Sequence, residues 1–326
     1  MEKKLMKKPE VFPMDWILQA EERIAPHVRV TPLAHDEDRG IFLKWENHQV
    51  TGSFKARGAF NKILSLEPWE QKQGIVAASA GNHGQGVALA GRYVDAPVTV
   101  FASKQASEFK IEKMRSLGAD VQLVEGGYDQ AEVQGLQHAK ENGKTWISPY
   151  NDPQVIAGQG TIGMEISRQV ELSASMTMLI PVSGGGLLAG VAAALSSFKD
   201  RPRIVGVQAK ASAFMHGFFK NGSQNNVDDL PTLADGLSGP VENGSITIPL
   251  IKALVDDILL VSEEEIARAV SFAYNRYGET VEASAAVGLA AILSGITEPP
   301  AVIVFSGGNI LPELHAQICD RNKDFN

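Results

Sequence analysis

Two units of one kind constrain this chain most: a short apolar run, a turn rich in glycine, then a stretch with helical apolar spacing. The first is Ile75–Ala78, followed by Ser79-Ala80-Gly81-Asn82-His83-Gly84 and a helical stretch from Val87 to Tyr93. The second is Leu179-Ile180-Pro181-Val182, followed by Ser183-Gly184-Gly185-Gly186 and the run Leu187 to Ala194. They lie about a hundred residues apart with no sequence repeat between them. A strand buried on both faces reads as an uninterrupted apolar run, and strand, tight turn and helix in succession are the units of parallel α/β winding. The alternation extends along the chain, with further strands expected at Ile41–Trp45, Val98–Phe101, Val121–Val124, Thr145–Ser148, Met176–Val182, Ile204–Gln208 and Ala301–Phe305. The expected class is α/β: two lobes of open, twisted, mostly parallel sheets with flanking helices. A small lobe over 67–145 and a large one from 1–66 and 146–326 follow from the spacing. Asp15 to Val28 has helical periodicity, Thr31 before Pro32 must be extended, and Asn221 to Gly244 reads as loop.

Ligands in such folds bind where the strands end. A glycine turn that opens a helix presents free N–H groups and a positive dipole end, so Ser183, Gly184, Gly185 and Gly186, with the helix starting at Leu187, read as a phosphate cradle. No Lys-Ser/Thr pair follows as a P-loop requires, and the spacing is not GxGxxG. A tight turn with packing glycines is the alternative, against which three consecutive glycines weigh. The turn Ser79, Ala80, Gly81, Asn82, His83 can hold a second anion such as a substrate carboxylate, and Asn82 can donate to a ring oxygen. His83 reads as a cap or packing residue rather than a catalyst. Ser306-Gly307-Gly308-Asn309 ends the last strand and alone would be a turn.

Between the strand Ile41–Trp45 and a helical stretch from Phe60 to Leu66 stands Thr-Gly-Ser-Phe-Lys-Ala-Arg-Gly-Ala, residues 51–59, which puts Lys55 near a helix start. The dipole and the neighbouring Arg57 both disfavour an ammonium ion there. A neutral lysine is what Schiff-base chemistry needs. On that segment alone an ordinary surface lysine is the better reading; the glycine turns downstream reverse it.

Composition narrows the partners. A formal charge of −8 and a pI near 5.5 leave no basic excess to neutralise nucleic-acid phosphates, so a small-molecule ligand is expected. One cysteine, Cys319, gives neither a disulfide framework nor a metal cluster and fits a reducing cytoplasm. The basic segment with Lys3, Lys4, Lys7 and Lys8 lacks an apolar stretch and is interrupted by Pro9 and Pro13, so it reads as a solvated tail, and no run reaches the length of a membrane span.

With Ser53-Phe54-Lys55-Ala56-Arg57-Gly58-Ala59, Ser79-Ala80-Gly81-Asn82-His83, Ser183 to Gly186 and Ser306-Gly307-Gly308-Asn309 in this order, the chain resembles the fold-type II (tryptophan synthase β-like) pyridoxal-phosphate enzymes, and among them the threonine/serine dehydratases. Thr31-Pro32-Leu33, Val155-Ile156-Ala157-Gly158-Gln159-Gly160-Thr161, Ala234-Asp235-Gly236 and Glu282-Ala283-Ser284-Ala285 extend the resemblance over almost the whole chain. It implies a bilobed fold with pyridoxal 5′-phosphate between the lobes and a homodimer or larger homo-oligomer. Carried over by residue, it makes Lys55 the Schiff-base lysine and catalytic base. Phe54 packs beside the ring, Asn82 stands near its 3′-oxygen, and Ser183, Gly184, Gly185, Gly186 and Leu187 form the phosphate loop. Gly236 approaches by backbone, Glu282 lies near the cofactor, and Ser306 faces the pyridine nitrogen. A hydroxyl there does not hold the nitrogen protonated, so the ring is a weaker electron sink, which suits elimination of a β-hydroxyl over long-lived carbanions. The implied activity is β-elimination from L-threonine, and from L-serine, to a 2-oxo acid and ammonia, with the substrate carboxylate held by the Ser79–His83 turn.

Several positions depart from the family pattern. Ala80 stands where serine racemases carry a second serine acting as acid/base on the opposite face. Gln208, Ser212 and Phe214 occupy a region where relatives often bind a divalent cation, so no metal is expected there. Ser183 replaces the first glycine of the usual four and Ala283 a common proline; both leave open altered substrate choice, such as 3-hydroxyaspartate. Racemisation and β-replacement on the same scaffold are the sister activities, and a silent phospholigand-binding protein is the reading from another class, opposed by retention of Lys55, Asn82 and Ser306 together. No regulatory segment follows residue 326, so a short form without a C-terminal feedback domain is expected.

Overall fold

The computed structural model describes residues 12–323; the basic segment around Lys3 to Lys8, read above as a tail, lies outside them. Among the described residues, ten strands form two sheets. β1 (Leu33–Asp36), β2 (Ile41–Trp45), β7 (Thr177–Pro181), β8 (Arg203–Ala209), β9 (Asp257–Val261) and β10 (Ala301–Phe305) make a six-stranded sheet in the order β1-β2-β10-β7-β8-β9. β3 (Ile75–Ala78), β4 (Val98–Ser103), β5 (Asp120–Val124) and β6 (Thr145–Trp146) make a four-stranded sheet in the order β5-β4-β3-β6. Every pairing is parallel except β1 with β2, a hairpin whose register runs from Leu33 opposite Lys44 to Asp36 opposite Ile41.

The side chains alternate as parallel strands buried on both faces require. Met178, Ile180, Val302 and Val304 face a core shared with the helices Met14–Ile24, Pro153–Gln169 and Gly186–Leu195. Leu179, Ile303 and Phe305 face the opposite core, under the helices Glu263–Tyr277 and Ala283–Leu293. On the smaller sheet Ile75, Ala77, Val98 and Val100 pack against the helices Lys55–Leu64 and Asn82–Tyr93, and Val76 and Ala78 against Tyr128–Asn142. No helix among the described residues is long and apolar enough to cross a membrane.

Several expected boundaries shift, each for a local reason. The first helix ends at Ile24 rather than Val28, because Pro26 has no N–H to continue it. The helices expected from Phe60 and Val87 begin earlier, at Lys55 and Asn82, since the polar and glycine residues of the glycine-turn segments form their first turns. β6 stops at Trp146, so Ile147 and Ser148 lie past its end. Two strands were not expected at all. β1, whose pattern includes His35 and Asp36, and β9, which opens on Asp257, are the two edges of the six-stranded sheet. Edges face solvent and carry charge, which masks the apolar run.

Candidate active site

Parallel strands send their C-terminal turns the same way, so the turns after β3, β7 and β10 and the segment after β2 converge on one cleft of about 720 Å³ between the sheets. Every residue assigned above to the cofactor or substrate lines it: Phe54 and Lys55; Ser79, Ala80, Gly81, Asn82 and His83; Ser183, Gly184, Gly185, Gly186 and Leu187; and Gly236, Glu282 and Ser306.

Lys55 is the first residue of its helix, which is pinned to the tip of β10 where the Phe54 N–H donates to the Ser306 carbonyl at 3.0 Å. The amine donates to the Pro149 carbonyl at 3.0 Å and lies 5.1 Å from the centre of the Phe54 ring. Burial lowers its pKa to about 8, against the pull of Glu282, which favours the ammonium. The expected part played by Arg57 is corrected here. Residues two apart on a helix face different ways, and the Arg57 guanidinium is sunk among Glu46 and Glu165, with Nε 2.8 Å from one Glu46 oxygen and Nη1 2.7 Å from one Glu165 oxygen. Desolvation, not a neighbouring cation, lowers Lys55.

The turn after β7 forms the cradle. Gly185 has φ +90°, a left-handed conformation that side chains resist, and caps the helix Gly186–Leu195, whose first-turn N–H groups have no intrahelical acceptor. A Cβ on Gly184 would run into the Tyr150 ring, and one on Gly185 would come within 2.5 Å of Ile251 Cδ1. Thr247 Oγ1 donates to the Gly184 carbonyl at 2.7 Å and fixes the turn from behind. A concave surface of backbone N–H groups, bare of side chains at Gly184, Gly185 and Gly186, suits a phosphate, and a buried, partly neutral amine in the same cleft suits an aldehyde. The residues therefore fit pyridoxal phosphate.

Opposite, the Ser79 hydroxyl accepts from the Gly81 N–H at 3.0 Å, tightening the turn ahead of the helix at Asn82. His83 is buried, and its Nε2 donates to the Ile147 carbonyl at 2.9 Å. Burial and the nearby Lys55 charge push its pKa down to about 3, so it is a neutral packing residue. Glu282 moves the other way. Burial, then the charge of Asp235, raise it to about 7, partly opposed by Lys110, the hydrogen bond from Asn82 and Lys55. Gly236 presents its backbone to the cleft while its N–H donates to Ser284 Oγ at 2.9 Å.

Sequence reasoning missed the residues that join the lobes. Lys110 and Lys113, one turn apart on the helix Glu108–Ser116, reach across to Asp235 Oδ2 at 2.7 Å and Asn309 Oδ1 at 2.9 Å. Tyr150 backs the cradle, with its hydroxyl accepting from the Glu242 N–H at 2.9 Å. Asp129, Glu132 and Glu242 give one cleft wall a negative charge. The spacing of the two lysines was a usable signal; for the others none stands out. Gln208 Oε1 accepts from the His216 N–H at 3.0 Å, Ser212 Oγ donates to Asp229 Oδ1 at 2.8 Å, and Phe214 lies in the core.

The chain matches the family described as "Pyridoxal-phosphate dependent enzyme" over residues 18–307. It is 43% identical over 272 residues to the L-threonine ammonia-lyase of Thermotoga maritima, covering 83% of this chain and 67% of that one. With the catabolic L-threonine dehydratase TdcB of Escherichia coli it shares 38% identity over 310 residues, 91% of this chain and 93% of the other. Among solved structures, the processed form of threonine deaminase isoform 2 from Solanum lycopersicum aligns with a TM-score of 0.84 and 29% identity, covering 98% of this chain and 96% of that one. Maize serine racemase aligns with a TM-score of 0.86 and 29% identity, covering 96% and 98%.

Proposed function

The chain belongs to the pyridoxal-phosphate-dependent enzymes, and from that premise we propose that it converts L-threonine, and L-serine, to the corresponding 2-oxo acid and ammonia by β-elimination. The observation that carries this reading is the meeting of Lys55, the Ser183–Gly186 cradle and the Ser79–His83 turn on one cleft. When bound, the cofactor supplies the electron sink for the bond broken at the substrate α-carbon.

The chain's own residues would do the rest. Lys55 would hold the cofactor and, once displaced by substrate, take up the α-proton, a task for which a pKa near 8 suits it. Ser183, Gly184, Gly185, Gly186 and Leu187 would bind the phosphate. Phe54 would pack beside the ring, Gly236 would approach it by backbone, and Glu282 would lie close by. Asn82 would donate to the ring oxygen, and Ser306 would meet the ring nitrogen without holding it protonated. The turn formed by Ser79, Ala80, Gly81, Asn82 and His83 would hold the substrate carboxylate. Ala80 has no proton to give, which argues against racemisation, and the Asp129, Glu132 and Glu242 wall disfavours a second carboxylate on the substrate. The same reading divides the chain into a large domain, 1–66 and 146–326, and a small one, 67–145. Membership of the two sheets supports that division. It also expects a cytoplasmic homodimer or larger homo-oligomer, on the family resemblance and the single cysteine.

The test is release of 2-oxobutanoate from L-threonine by the purified protein with pyridoxal phosphate, beside Lys55→Ala. Turnover that the variant loses by about 10³-fold or more is the expected outcome. Cofactor binding without any 2-oxobutanoate would overturn the substrate assignment, and failure to bind the cofactor would overturn the whole reading.

A further inference from the structure

We propose that Lys113 and Asn309 are positioning residues that set which way the Asn82 amide faces, and so decide that the protein offers a hydrogen, not a lone pair, to the cofactor's ring oxygen; this rests on the cofactor reading above. A side-chain amide looks nearly symmetrical to its surroundings, and only its partners decide which end is N–H. Here the partners leave no choice. The Lys113 ammonium can only donate, so Asn309 meets it with Oδ1 at 2.9 Å. The Thr51 carbonyl can only accept, and Asn309 Nδ2 donates to it at 2.8 Å. Asn309 is thus held from both ends, and its second N–H goes to Asn82 Oδ1 at 2.7 Å. With its oxygen committed, Asn82 turns Nδ2 to the cleft, where one hydrogen goes to Glu282 Oε1 at 2.7 Å. An amide nitrogen carries two hydrogens, so a second is available for a ligand. Reversing Asn82 would set N–H against N–H at Asn309 and oxygen against the Glu282 carboxyl.

The line of bonds from Lys113 through Asn309 to Asn82 crosses between the lobes twice, and the bond from Asn82 to Glu282 crosses a third time. Lys113 and Asn82 stand on helices that flank the four-stranded sheet, Glu108–Ser116 and Asn82–Tyr93, whereas Asn309 and Thr51 follow β10 and β2 of the other sheet. Asn82 therefore has its final orientation only when the two lobes are together. The absence of a side chain at Gly52 makes room for this, since a Cβ there would lie 3.0 Å from Asn309 Oδ1.

The test compares Asn309→Asp, Lys113→Met and Lys113→Arg with the wild type in pyridoxal phosphate titrations, reading the dissociation constant and the ratio of the visible to the near-ultraviolet band of the bound cofactor. Asn309→Asp keeps the size and the acceptor for Lys113 but gives no hydrogen to Thr51 or Asn82. It should weaken cofactor binding about tenfold, the scale of one hydrogen bond to a charged group, and move absorption toward the near-ultraviolet band. Lys113→Met leaves the Thr51 contact in place and should shift both readouts the same way by about threefold, while Lys113→Arg, again a pure donor, should match the wild type. A purely structural role would change stability without changing the band ratio. Wild-type values for both Asn309→Asp and Lys113→Met overturn the proposal. Should Asn309→Asp fail to fold, as judged by circular dichroism, the half-buried Lys113→Met against Lys113→Arg decides alone. Wild-type binding and threonine turnover report separately on the underlying function.

Discussion

A lysine that must be neutral to react gains from burial, and Lys55 shows how far that carries. With its pKa lowered from 10.5 to about 8, on the order of 300 times more of the amine is neutral at pH 7 than for an ordinary lysine. Mixed with pyridoxal phosphate, the cofactor-free protein should therefore capture it at a rate that rises with pH as the ammonium loses its proton, is half-maximal near pH 8 and levels about one unit above that. A rate still climbing tenfold per pH unit above pH 9 would show that burial does not lower this amine. The importance of Lys55 was legible in the sequence, but its cause was misassigned. Position along the chain put Arg57 beside it, and only the helix shows Arg57 turned away to Glu46 and Glu165. Asn82, Glu282 and Ser306 were legible as members of motifs. The spacing of Lys113 from Lys110 was visible, but its partner was not, because the contact with Asn309 spans nearly two hundred residues.

At the scale of the element, the turn after β7 has little room for change. Gly185→Ala should destabilise the protein by about 2–4 kcal/mol in urea unfolding, combining the left-handed φ with overlap on Ile251. The variant should also bind pyridoxal phosphate at least about tenfold more weakly, a loss of about 1.4 kcal/mol. Wild-type affinity in that variant would mean that the turn does not cradle the phosphate. The same stretch explains why the strands nearest the site were the easiest to read. β2, β3 and β10 fall on the residues expected, because central parallel strands are apolar on both faces and stop at a glycine or polar turn. β1 and β9 escaped because each is an edge strand that carries polar or charged residues, His35 and Asp36 in β1 and Asp257 at the start of β9. The helix starts at Lys55 and Asn82 escaped because their first turns are built from the residues that face the ligand rather than the core.

Over the whole molecule, the two charges of each sign at Arg57, Lys44, Glu46 and Glu165 balance inside the protein. They tie the Lys55 helix and β2 to the helix Pro153–Gln169. Glu165→Ala leaves two cations short of a partner and should cost about 3–5 kcal/mol in urea unfolding; a loss below about 1 kcal/mol, the scale of an exposed pair, would mean that the cluster holds little. Burial alone would raise the Glu165 pKa, but Arg57 and Lys44 more than offset it and hold it below its ordinary 4.5. Its contribution is therefore present above pH 4.5 and lost as pH falls through the lowered value. Glu165→Gln should flatten the acid side of the stability curve, and an unchanged slope would contradict this. The Lys55 helix lies between Asn82–Tyr93 on one side and Pro153–Gln169 on the other, with backbone meeting backbone: a Cβ on Gly86 would be 3.2 Å from the Lys55 carbonyl carbon, and one on Gly158 would be 2.6 Å from the Arg57 oxygen. In mechanical terms this stack is an axle with the reacting amine mounted on it. Displacement about an axle grows with distance from it, so any rocking of the four-stranded sheet about this stack would open the cleft mouth far more than it would move Lys55.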